Sequence, residues 1–133
     1  MTRPTKQRRE QDYFRDIVLN NYGNHCALTG LPIRELLIAS HILPWSGHEA
    51  ERLNVRNGIA LNRLHDAAFD QGLIAFNDAL RLMLSSHLKS RLARESVKSS
   101  FEAFEGKPLD LPAEGIPPTT EFLAKHRQRF KIR

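Results

Sequence analysis

The 133-residue sequence predicts an α+β fold, on three observations. First, an apolar run from Leu36 to Ile42, broken only by Ser40 and His41, is followed by a polar loop. A second apolar piece, Gly58 to Leu61, and then Leu64, Ala67, Ala68 and Gln71 at helical spacing complete the order strand, loop, strand, helix. Second, Phe14, Ile17, Val18 and Tyr22 repeat at helical spacing ahead of this unit. Third, Leu73 to Phe76 and Leu80 to Leu84 flank the turn pair Asn77-Asp78, the pattern of a β-hairpin.

Each element has its punctuation. Residues 1–10 are polar and contain Pro4, which reads as a frayed arm before a helix from about Asp12 to Tyr22. Gly23-Asn24 stops that helix. Cys26 to Leu28 is a short apolar piece, closed by the turn at Thr29-Gly30. The first strand is bounded by Pro44, and residues 44–57 hold Pro, Ser, Gly and two Asn, a loop composition. Gly72 supplies a C-cap for the helix after the second strand. Residues 87–104 read as a polar, basic helix or a partly ordered segment. The stretch 106–118, with four prolines and two glycines, is an extended connector. Thr119 or Thr120 caps a last helix from Glu121 to about Phe130, with Phe122 and Leu123 turned inward.

Twenty Lys and Arg against fifteen Asp and Glu give a net charge of +5 and a pI near 9.8. A basic surplus favours a polyanionic partner. Arg3, Lys6, Arg8, Arg9 and Arg15 crowd the N-terminus, and Lys125, Arg127, Arg129, Lys131 and Arg133 crowd the other end. The plainer reading of both clusters is a solvated, solubilising surface. One cysteine, Cys26, excludes an intramolecular disulfide and leaves no Cys pair for a zinc ribbon. No apolar run approaches the ~20 residues needed to span a bilayer, and the N-terminus lacks an apolar signal core. The expectation is a cytoplasmic protein with no membrane partner, of a length that suits one domain.

Three residues stand out for chemistry: His41 at the end of the first strand, Asn57 opening the second, and His65 in the first turn of the helix. If the strands pair and the helix packs across them, the three converge. Here the sequence resembles the HNH endonuclease family, in the branch found in restriction-type proteins. The resemblance rests on Ala39-Ser40-His41-Ile42-Leu43-Pro44-Trp45, Asn57-Gly58-Ile59-Ala60-Leu61-Asn62, Leu64-His65, Phe69-Asp70 and Gly72-Leu73-Ile74. Tyr22-Gly23 and Cys26-Ala27-Leu28-Thr29-Gly30 upstream, the proline-rich connector, and Phe122-Leu123-Ala124-Lys125-His126-Arg127 at the close extend it over most of the chain.

The resemblance implies a ββα-metal core with an N-terminal helix, an extra β-hairpin and a C-terminal helix. Residues 1–11 are then a basic arm, 12–86 the HNH nuclease core, and 87–133 a basic segment, proline-rich connector and closing helix. It also implies a metal-dependent endonuclease acting on DNA, double-stranded by expectation. His41 is the general base, Asn57 orients His41 by fixing its ring or the loop behind it, and His65 is a metal ligand. The family often has Asp or His before the basic histidine; Ser40, a poorer ligand, stands there. Asp70 is the nearest carboxylate to replace it, although a five-residue step sets His65 and Asp70 about 140° apart on a helix. Asp70 reads equally as a helix-end carboxylate bonded to backbone or to an arginine.

The residue types suit the chemistry. A histidine near its working pKa activates water, and a divalent cation stabilises charge gathering on phosphate and leaving oxygen. Mg²⁺ or Mn²⁺ is expected, with Zn²⁺ or Ni²⁺ as alternatives. Arg56 and Arg63 flank the motif and are candidate phosphate contacts, or else ordinary surface arginines. Asp66 reads as a supporting partner of His65 or an exposed first-turn acid. Trp45 reads as a packing anchor, and His25, His87 and His126 as structural or surface residues. No segment resembles a base-reading helix, so the expectation is low specificity or specificity supplied by a partner protein; a homodimer is the expected way for so small a single-site nuclease to cut both strands. The rival reading is an inactive HNH fold that binds DNA or protein, favoured by Ser40.

Overall fold

A computed structural model of the protein describes residues 5–133. The first element, α1 (Lys6–Asn21), starts earlier than the apolar periodicity suggested. Thr5 caps it, its hydroxyl accepting from the Arg8 amide at 3.1 Å. The polar residues that follow are good helix formers, and Lys6 and Glu10 pair one turn apart at 3.7 Å. Most of the expected basic arm is therefore the first turns of a helix; Arg3 lies outside the described residues. Gly23 (φ 67°) and Asn24 (φ 60°) end α1 in left-handed backbone.

Strands β1 (Leu37–His41) and β2 (Gly58–Asn62) form an antiparallel ribbon in which Leu37 faces Asn62 and His41 faces Gly58. The long loop between them holds two short 3₁₀ turns, Glu49–Glu51 and Val55–Asn57. Helix α2 (Arg63–Asp70) follows directly, because Asn62 ends the strand and caps the helix by accepting from the His65 amide at 3.0 Å. A second ribbon, β3 (Ile74–Phe76) with β4 (Leu82–Leu84), is the expected hairpin. Short helices α3 (Ser86–Lys89) and α4 (Glu95–Ser100) precede the connector, and α5 (Thr120–Phe130) closes the fold. Thr119 is its N-cap residue by position but makes no side-chain capping bond.

One apolar core joins these pieces. Phe14, Val18 and Leu19 of α1 meet Leu37, Ile59 and Leu61 of the first ribbon, Phe69 of α2 and Phe76 of the second ribbon. Phe101, Leu109, Phe122 and Leu123 belong to the same cluster, so the C-terminal third is packed in and is no separate appendage. Arg15 fastens α1 to the ribbon, donating to the carbonyls of Leu37 (2.5 Å) and Arg34 (2.9 Å). At the other end, Arg127 donates to the Phe76 carbonyl at 2.7 Å and pairs with Asp78 at 2.9 Å. Two of the cations expected on solvated ends thus hold elements together.

Candidate active site

β1 alternates, and its last two side chains go opposite ways. His41 turns toward α1, where its ring stacks on Phe14 with centroids 3.8 Å apart and planes 9° from parallel. Its partner across the ribbon is Gly58, and a Cβ there would come within 2.5 Å of Val18 and 2.7 Å of Phe14. Only glycine leaves room for the ring that supports the imidazole. Trp45 adds an edge contact at 5.6 Å. His41 Nε2 donates to the Arg52 carbonyl at 3.0 Å, leaving the lone pair on Nδ1. Burial lowers the His41 pKa, the bond to the Arg52 carbonyl partly opposing it, so the ring favours its neutral form.

Asn57, fully buried, builds the loop that carries that carbonyl. Its side-chain oxygen accepts from the Leu43 amide at 2.8 Å, and its amide donates to the carbonyls of Glu51 (3.1 Å) and Leu43 (3.3 Å). One side chain therefore closes both ends of the loop. Arg52 locks the middle: its guanidinium donates to the Trp45 carbonyl at 2.8 Å and lies 4.8 Å over the indole.

Ser40 turns the other way, toward α2, where its hydroxyl is close enough to the Asp66 carboxylate to favour the charged form. Asp70 lies one helical turn on. Ser40, His41, Asp66 and Asp70 line one cavity of about 360 Å³, together with Pro44, Trp45 and, from α5, His126 and Arg129. Burial raises the Asp66 pKa; the Ser40 hydroxyl and the nearby Arg63 oppose this, while the Asp70 charge adds to it.

His65 is not in this cavity. Its Nδ1 faces the Asn62 amide nitrogen at 2.9 Å and its Nε2 donates to the Ser100 carbonyl at 2.7 Å, with Phe101 and Phe104 edge-on to the ring. Both nitrogens are occupied and the residue is 3% exposed, so it joins α2 to the α4 region. His65 thus does not line the cavity that His41 borders, and both its ring nitrogens face hydrogen-bond partners; Asp66, one position on, lines the cavity instead. Arg56 and Arg63 are both exposed and neither lines the cavity, although Arg63 is close enough to favour the charged Asp66.

Among the described residues no three His, Cys, Asp or Glu side chains converge on one point. The donors that do face the cavity still fit a hard divalent ion. The Asp70 carboxylate one turn away disfavours the charge on Asp66, and a cation would relieve this. Mg²⁺ binds through one or two carboxylates and completes its shell with waters and substrate phosphates. They do not fit a structural zinc: Cys26 is wholly buried, its sulfur 3.4 Å from the Thr29 amide.

α5 docks onto α2 through His126, whose ring stacks on Phe69 at 3.8 Å and whose Nε2 donates to the Phe69 carbonyl at 2.9 Å. Its Nδ1 is buried without a partner. Burial lowers the pKa of His126 to about 4. The sequence marks His126 as a structural or surface residue; it docks α5 and also lines the cavity.

An antiparallel ribbon followed by a helix, with an imidazole fixed at the ribbon's end and carboxylates on the helix, is consistent with an HNH domain. Residues 26–77 match the family model of the HNH endonucleases, which supports an HNH assignment for this segment. At the level of that family the match supports a nuclease-type function, and nucleases of the family generally depend on a divalent metal. No curated protein matches the chain. Among the described residues, no helix is long and apolar enough to cross a membrane.

Proposed function

We propose that the protein is a metal-dependent endonuclease that hydrolyses DNA phosphodiester bonds, with His41 as general base and Asp66 and Asp70 holding the ion. The observation that carries this reading is the fixed His41 ring beside a cavity with two carboxylates. With Nε2–H donated to the Arg52 carbonyl, His41 Nδ1 takes a proton from water. The water oxygen then bonds to phosphorus as the bond to the 3′ oxygen breaks, leaving a 5′ phosphate. The leaving oxygen is protonated by solvent. A bound Mg²⁺ or Mn²⁺ supplies Lewis-acid stabilisation of the charge on the phosphate and the leaving oxygen. Ser40 orients Asp66, so the residue that departs from the family's pattern acts through the carboxylate it holds. Asn57 acts at one remove, by keeping the loop closed behind the base.

The test is supercoiled plasmid with Mg²⁺ or Mn²⁺, comparing wild type, His41→Ala, Asp66→Asn and His65→Gln. Nicking by wild type, lost in the first two and retained in the third, is the expected result. Equal nicking by wild type and His41→Ala would remove the base from the mechanism. Loss in His65→Gln with wild-type stability would return the ion to His65.

A further inference from the structure

The cavity at Ser40, Asp66 and Asp70 does not end at β1. It continues over Ile42 and Pro44 into a second hollow lined by His48, Lys125, Gln128 and Arg129, and His126 and Arg129 border both. α5, which lies outside the matched segment, thus forms one wall of a single groove. On that wall His126 and Arg129 are three residues apart, and Lys125 and Arg129 four apart, so Arg129 neighbours each of them on the helix surface.

Their engagements differ. Lys125 pairs with Glu121 at 3.3 Å, and His126 is occupied in docking the helix. Arg129 is exposed and makes no ion pair among the described residues; its guanidinium lies 4.6 Å over the Phe130 ring. It borders a cavity with two carboxylates yet is not paired with either. We propose that Arg129 is a substrate-binding residue: its guanidinium grips a backbone phosphate of the DNA and seats the strand along the groove between α5 and the loop after β1. This inference rests on the nuclease reading for the identity of the substrate.

The physical case is one of complementary roles. A strand lying in the groove brings phosphates past both the carboxylates and α5. The carboxylates hold no phosphate without a cation, whereas a guanidinium binds phosphate oxygens directly through paired N–H donors. The support is rigid, because the stacked and hydrogen-bonded His126 fixes α5 one turn away. Pre-organisation of this kind strengthens a single contact. Arg56 and Arg63, expected from the sequence to make such contacts, lie outside the groove.

The experiment uses a short fluorescein-labelled duplex in EDTA, titrated with the full chain over a range of salt, and plasmid nicking in Mg²⁺ in parallel. Arg129→Gln is compared with Arg91→Gln, which removes the same charge from an exposed site away from the groove. Arg129→Gln should weaken binding by about tenfold and reduce the salt slope by about 0.9. Arg91→Gln should change binding by less than about twofold. Arg129→Lys should keep most of the salt slope and still lose affinity, because a point charge does not replace the planar fork. If Arg129→Gln and Arg91→Gln weaken binding equally, or wild-type nicking and binding persist in Arg129→Gln, this inference falls and the nuclease reading stands. If wild type nicks nothing with Mg²⁺ or Mn²⁺ while Arg129→Gln alone loses binding, the nuclease reading falls and the phosphate contact stands. Thermal unfolding of each variant separates lost contact from lost fold.

Discussion

Replacing Asn57 by alanine removes three hydrogen bonds together, to the Leu43 amide, the Leu43 carbonyl and the Glu51 carbonyl. Asn57 is fully buried, so those groups lose their partner where water replaces it poorly. At about 1 kcal/mol for each neutral bond, Asn57→Ala should cost about 3 kcal/mol. Asn57→Asp is the sharper test, because shape is kept and only the donor is lost. A carboxylate still accepts from the Leu43 amide but aims its second oxygen at two carbonyls. At pH 7 the expected order of stability is therefore wild type, then Asn57→Ala, then Asn57→Asp. The new carboxyl has a folded pKa raised above its unfolded value. Its less unfavourable state is present below the ordinary carboxylate range and is lost as pH rises, so Asn57→Asp should recover relative to Asn57→Ala near pH 4. Urea unfolding followed by circular dichroism at both pH values measures this. Both variants should also lose activity on the order of 100-fold, since the carbonyl that holds His41 moves with the loop. Wild-type stability for Asn57→Asp at neutral pH, or a loss below about 1 kcal/mol for Asn57→Ala, would refute the account of the loop.

His126 is held neutral by burial with a pKa of about 4, so between there and its unfolded value near 6.5 the native state binds fewer protons. Stability is full above the unfolded value and falls as pH drops through that window. His126→Phe, which keeps the ring on Phe69, should shrink the stability loss between pH 7 and 4.5 by about 2 kcal/mol in urea titrations. Gly58→Ala should cost about 2 kcal/mol by the same measurement and lower activity with it, because the new Cβ meets Val18 and Phe14 beneath the His41 ring. Mg²⁺ at a hundred times its dissociation constant should raise wild-type stability by about 2.7 kcal/mol, and Asp66→Asn should remove that increment. An equal increment in Asp66→Asn would place the ion elsewhere.

What the sequence made legible follows from how local each signal is. The two strands and α2 were readable because their apolar patterns are short and bounded by Pro44, Gly58 and Gly72. α1 was readable only where it is apolar, since periodicity reports burial and its first turns bury little; the Thr5 cap was the missed signal. Ser40 looked like a defect because its partner, Asp66, lies 26 residues further along the chain, and no spacing rule links a strand serine to a helix carboxylate. His126 and Arg129 were unreadable as site residues for the same reason, since only the packing of α5 on Phe69 brings them to the groove.

The assignment of the helix histidine shows where pattern and geometry part. Adjacent residues on a helix point about 100° apart, so a motif that shifts by one residue changes which face it describes. His65 and Asp70, five apart, diverge by about 140°, and no single ion suits both without distortion. Asp66 and Asp70, four apart, diverge by only about 40° and share the cavity. Oxygen donors are the better match for the ions expected here, because Mg²⁺ and Mn²⁺ prefer carboxylate to imidazole. A buried imidazole with both nitrogens bonded, as at His65, is what a structural histidine looks like. On the proposed reading, the ligand on this helix is Asp66, one residue further on.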